Sequence, residues 1–69
     1  MTEIEITLNG EPHRVPADGT LEDLLRHLAL DPRTVVVEHN RTIVRRLSLG
    51  ATPLAAGDAV ELVHFVGGG

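Results

Sequence analysis

Three consecutive glycines, Gly67, Gly68 and Gly69, follow Val66 at the C-terminal end of the sequence. Residues without side chains can thread a narrow channel and adopt any φ. The reactive group such a run would deliver is the terminal carboxyl. A carboxylate is a poor electrophile, but an ATP-using partner can convert it to an acyl-adenylate, which a sulfur or amine nucleophile can attack. A frayed terminus or an expression scar would look the same. The sequence contains no cysteine, which excludes a thiol nucleophile and a thiolate metal site. Sulfur carried by this chain would therefore reside on the carboxyl of Gly69, as a thiocarboxylate. Lysine is also absent, so no side-chain amine is available to capture an activated carboxyl. His13, His27, His39 and His64 show no metal-ligand spacing and no helical i, i+4 pair. Glu22 and Asp23 suit a helix start better than an acid/base pair. The expectation is a chain with no catalytic residue and no metal site of its own.

Size and charge narrow the field. The 69 residues can hold one domain at most. Hydrophobic residues make up 42% and charged residues 23%, a globular balance. Ten acids against six arginines leave a net charge of −4. That sign argues against nucleic acid and against an anionic membrane as partners. The opening Met1-Thr2-Glu3-Ile4 has neither the basic start nor the apolar run of a secretory signal, and no stretch approaches membrane-spanning length. The expected location is cytoplasmic.

Local patterns predict the elements that carry the tail. Ile4, Ile6 and Leu8 alternate with Glu3, Glu5 and Thr7, as in a half-buried strand. Asn9-Gly10 suits a tight hairpin turn, and residues 11–16, with Pro12 and Pro16, should return as an edge strand. Thr20 with Asp23 three residues later reads as a helix N-cap and a capping box. Leu21, Leu24, Leu25 and Leu28 then form one apolar helical face. Pro32 should end this helix near residue 29 or 30, after about ten residues. Val35–His39 and Thr42–Val44 read as strands around an Asn40-Arg41 turn. Residues 45–57 show no regular pattern. Residues 59–66 should form the last strand, central in the sheet and parallel to the first, because both of its faces carry apolar residues.

This order of hairpin, helix and returning strands predicts an α+β, ubiquitin-like β-grasp fold, with a mixed sheet of four or five strands packed on one main helix. Residues 1–66 would form the domain and residues 67–69 a flexible tail. Val60 and Leu62 should face the helix. Phe65 should lie exposed on the open face near the tail, while Val63 either joins it or packs under the 45–57 segment.

The chain resembles the sulfur carrier proteins of thiamin biosynthesis, the ThiS family, along essentially its whole length. The matching stretches are Leu8-Asn9-Gly10-Glu11-Pro12, Thr20-Leu21-Glu22-Asp23-Leu24-Leu25, Val35-Val36-Val37-Glu38-His39-Asn40, Ile43-Val44 and Leu54-Ala55-Ala56-Gly57-Asp58. Val60-Glu61-Leu62-Val63-His64-Phe65-Val66-Gly67-Gly68-Gly69 is the most specific of them. The departures are local: His39 stands where the family tends to have an aliphatic residue, Arg41 where glycine is frequent, and Arg45 where proline is common.

The resemblance implies that a ThiF-like adenylyltransferase adenylates Gly69 with ATP and magnesium, the carrier itself binding no cofactor. A sulfur donor, such as a persulfide fed by a cysteine desulfurase, would displace AMP, and the thiocarboxylate would pass sulfur to thiazole synthase. Gly67 and Gly68 would thread into the partner, and Val63, Phe65 and Val66 would dock. The chain would be a cosubstrate rather than an enzyme. A molybdopterin-synthase small subunit shares the fold and tail, and a ubiquitin-like protein modifier or a passive binding module are further alternatives.

Overall fold

The computed structural model describes residues 2–65. Strands β1 (Glu3–Leu8) and β2 (Glu11–Pro16) form the first hairpin, pairing from Glu3 with Pro16 to Leu8 with Glu11. Asn9 and Gly10 both have positive φ, at 50° and 85°. That is the signature of a type I′ turn, whose twist matches that of the flanking strands. Helix α1 (Leu21–His27) follows, and then a 3₁₀ turn (Pro32–Thr34) leads into β3 (Val35–His39). After β4 (Thr42–Val44) comes a second 3₁₀ segment (Arg46–Ala51), and β5 (Ala59–His64) closes the described chain.

The five strands run in the order β2-β1-β5-β3-β4. β5 is central, as its two-faced apolar pattern predicts, and it runs parallel to β1 and antiparallel to β3. β2 is an edge strand, where its two prolines leave no ladder bond unmade. The parallel contact is short, Thr7 with Ala59 and Leu8 with Val60. Asn9 extends it: its amide donates to the Val60 carbonyl at 2.9 Å and its side-chain oxygen accepts from the Leu62 amide at 2.8 Å. One turn residue thus ties the first hairpin to the central strand.

The start of α1 is held by a complete capping box. The Thr20 hydroxyl accepts from the Asp23 amide at 3.2 Å, and the Asp23 carboxylate accepts from the Thr20 amide at 3.0 Å. The Thr20 amide, then the Thr20 hydroxyl, holds the Asp23 carboxyl below its ordinary value. Leu21, Leu24 and Leu25 are buried against the sheet. Burying such a side chain is worth about 1.5–3 kcal/mol, so packing rather than propensity stabilises this short helix.

The helix ends earlier than the proline alone predicts. Its last residue is His27, after seven residues rather than about ten. Ala29 takes a left-handed φ of 59°. The Ala29 amide bonds to the Arg26 carbonyl and the Leu30 amide to the Leu25 carbonyl, the two bonds of a Schellman cap. Leu30 is then half-buried against the core. The cap stops the helix before Pro32 can act. Beyond it, Asp31 caps the first 3₁₀ turn and grips the Arg33 side chain and amide, which pull its carboxyl down to about 2.

Residues 45–57 are more ordered than their sequence suggests. Leu49, within the second 3₁₀ segment, and Leu54 are both buried in the core with Ile6, Val15, Val37 and Val60. The Leu21 amide donates to the Thr52 carbonyl and the Leu54 amide to the Gly19 carbonyl, pinning this segment to the helix start.

Candidate functional site

Strand β5 carries the chain to the root of its tail. The last pair with β3 joins His64 to Val35, and the Phe65 amide then donates to the Thr34 carbonyl at 2.9 Å. The backbone is therefore still anchored one residue before Val66. Val66, Gly67, Gly68 and Gly69, and with them the expected boundary at residue 66, lie outside the described residues.

Register determines what surrounds this root. Val63 lies directly opposite Val36, and Glu61 opposite Glu38. Ile43 on β4 pairs with Glu38 on the same face. Val60, on the alternate face, is buried, and Leu62 is packed against the core. The helix-free face thus presents Val36, Val63 and Ile43 beside two glutamates. Val63 is 59% exposed and Phe65 60% exposed. Of the two placements open for Val63 in the sequence, the structure takes the exposed one. The 45–57 segment packs Leu49 and Leu54 into the core on the helix side, leaving Val63 uncovered.

Two features of this surface escape sequence reasoning. Val36, Glu38 and Ile43 join it through the β3–β5 and β3–β4 registers, although the alternation of β3 already puts Val36 and Glu38 on one face. The opposed Glu38 and Glu61 are a second surprise, since like charges directly across a strand pair destabilise it.

At the other end of β5, a polar cluster closes the β3–β4 turn. The Asp58 carboxylate, only 8% exposed, lies 2.6 Å from His39 Nε2 and accepts from Asn40 Nδ2 at 3.1 Å and the Ala55 amide at 2.9 Å. Asn40 and Ala59 exchange two further bonds. Burial pushes the Asp58 carboxyl up, but the bonds from His39, Ala55 and Asn40 outweigh it and leave the group below its ordinary value. The nineteen-residue separation of His39 from Asp58 hides this pair in the sequence. Arg41 completes the turn at a φ of 71°, the conformation for which glycine is suited. This cluster lies at the opposite end of β5 from the tail and acts as a structural clasp.

Among the described residues no three His, Asp or Glu side chains gather as a metal site. No helix among them is long and apolar enough to cross a membrane.

Comparison with known proteins agrees with this arrangement. The model of the ThiS family matches residues 6–69. A thiazole synthase from Magnetococcus marinus is 48% identical over 66 residues, covering 96% of this chain but only 20% of that protein. A second thiazole synthase, from Paramagnetospirillum magneticum, shows the same coverage at 39% identity. The chain thus spans 20% of the length of these two relatives. The sulfur carrier protein ThiS of Bacillus subtilis is 38% identical over 65 residues, 93% of this chain and 98% of that one. The crystal structure of the thiamine biosynthesis protein ThiS from Geobacter metallireducens superposes with a TM-score of 0.82 at 35% identity, covering 96% of this chain and all of that one. A designed protein based on human erythrocytic ubiquitin matches with a TM-score of 0.54 at 22% identity, a likeness of fold alone.

Proposed function

The chain belongs to the ThiS family, and from that premise we propose that it carries sulfur for thiazole formation in thiamin biosynthesis as a thiocarboxylate on Gly69. One observation carries the reading beyond the family. A central strand, bonded on both sides, leads to the glycine run with Val63 and Phe65 exposed at its root.

The proposed cycle is cytoplasmic and uses partners for every chemical step. A ThiF-like adenylyltransferase holds the Gly69 carboxylate against the α-phosphate of ATP, with magnesium, and releases pyrophosphate as the acyl-adenylate forms. A persulfide sulfur, fed by a cysteine desulfurase, attacks the carbonyl carbon and AMP leaves. A second thiol then cleaves the S–S bond and frees the thiocarboxylate. Thiazole synthase accepts the sulfur, and the carrier returns as the carboxylate. The relatives in which a matching segment forms part of a thiazole synthase support that last partner.

Within this cycle the fold has a mechanical task. Its strand bonds keep the docking residues in place while the glycines enter the partner. Val63, Phe65 and Val66 supply apolar contact at the root, and Gly67 and Gly68 let the backbone approach the nucleotide closely. ATP–pyrophosphate exchange with the activating enzyme tests the assignment. Deleting Gly69, or adding a residue after it, should abolish exchange with the circular dichroism unchanged. Exchange supported by the extended chain, whose Gly69 carboxyl is tied up in a peptide bond, would show that this carboxyl is not the reacting group.

A further inference from the structure

A shallow groove lies beside Phe65, between the two 3₁₀ segments, and its lining includes Pro32, Arg33, Arg45, Arg46 and Leu47. Half of the arginines of this acidic chain therefore meet at one place. Arg33 is paired with Asp31 at 2.9 Å, whereas Arg45 and Arg46 are exposed and in no ion pair among the described residues. Leu47 between them and Leu49 is 90% exposed, while Leu49 two positions on is buried. The 3₁₀ segment thus turns one leucine into the core and holds the other in water. Single exposed leucines are ordinary. Here an exposed leucine and an exposed phenylalanine flank two unpaired guanidiniums, the mix of apolar anchor and arginine that concentrates binding energy at interfaces.

The opposite charge pattern lies on the open sheet face, where Glu38 and Glu61 accompany Val63. The two surfaces therefore suit partner surfaces of opposite sign. We propose that the arginine groove is a second docking surface and that it takes an acidic segment, with an apolar recess for Leu47, on the adenylating partner. This rests on the carrier reading above. In the two thiazole synthases above, a matching segment is already part of the enzyme's own chain, so the adenylating partner is the one such a segment must meet from solution, where complementary charge speeds encounter most. The net negative charge disfavours a nucleic acid as occupant.

The test compares Arg46→Glu and the double variant Arg45→Glu/Arg46→Glu with Arg41→Glu. Arg41 lies in the β3–β4 turn, so its reversal makes the same single charge change far from the groove. Arg45 and Arg46 make no side-chain bond that the fold needs, and urea unfolding verifies that all three variants remain folded. For ATP–pyrophosphate exchange, kcat/KM should fall about ten- to a hundredfold in the double variant, with kcat at saturation retained. The unaltered chain should lose kcat/KM as salt rises from about 0.05 to about 0.5 M, and the double variant should show a flatter dependence. Leu47→Ala should also raise KM. Equal effects of Arg46→Glu and Arg41→Glu, with the unaltered chain activated normally, would remove the groove and leave the carrier reading standing. Defects confined to thiazole synthase, or to duplex DNA retention at low salt, would overturn the choice of partner. Failure of the unaltered chain to be activated at all would remove both readings.

Discussion

Two residues occupy backbone conformations that their own side chains disfavour. Ala29 at φ 59° and Arg41 at φ 71° lie in the left-handed region, which costs a residue with a Cβ about 1–2 kcal/mol. Glycine avoids that cost but loses about 0.5–1 kcal/mol in chain entropy on folding. Ala29→Gly and Arg41→Gly should therefore each raise stability by about 0.5–1 kcal/mol, seen as a higher urea midpoint at unchanged slope. A lower midpoint would contradict the strain argument. Arg41 was legible in the sequence as a residue at a glycine position. Ala29 was not, because nothing in Leu28-Ala29-Leu30 announces a left-handed cap. Asp58 carries a second prediction at this scale. Its carboxyl is depressed in the fold, so its stabilising contribution is present above the ordinary carboxylate range and is lost as pH falls through the folded value. Asp58→Asn should lower the urea midpoint at pH 7, and the gap to the unaltered chain should close as the pH drops below about 4. A gap independent of pH would mean that shape, not charge, holds the clasp.

At the scale of elements, hydrophobic period and capping chemistry agree with the structure, while irregular pieces do not announce themselves. The hairpin over residues 3–16 and the strands at 35–39 and 42–44 follow their sequence patterns because each has a clear period or a clear turn. The capping box of Thr20 and Asp23 is equally plain. Thr20→Ala should cost about 1 kcal/mol by leaving the Asp23 amide without its partner; no change in midpoint would show that the Leu21–Thr52 and Leu54–Gly19 backbone bonds fix the helix start alone. The 45–57 segment was opaque for a physical reason. A short 3₁₀ turn has no amphipathic repeat long enough to read, and Leu49 and Leu54 are buried by contacts with the distant helix rather than by local pattern. The opposed Glu38 and Glu61 belong to the same scale. Glu61→Lys should stabilise the β3–β5 pair by about 0.2–1 kcal/mol through a cross-strand ion pair. Its failure to do so would place the two carboxylates too far apart in solution to repel.

The molecule is a small sheet-and-helix unit whose topology was legible because one strand is apolar on both faces. That strand had to be central, and its end is bonded to β3 as far as His64 and, through the Phe65 amide, to the Thr34 carbonyl. The proposed chemistry rests on elimination, from a missing thiol and a glycine run, with the resemblance supplying the direction. What the sequence withheld is the surface around the root: the exposure of Val63, the acidic face beside it and the arginine groove next to Phe65 all depend on strand register and on long-range packing. The account stands on one carboxyl. Intact-mass measurement of the chain after incubation with its activating enzyme, ATP, magnesium and a persulfide donor tests it most directly. The account predicts a product in which one oxygen of Gly69 is replaced by sulfur, formed only when ATP is present. A chain that forms the acyl-adenylate yet never gains sulfur, or that gains it anywhere other than Gly69, would contradict the account.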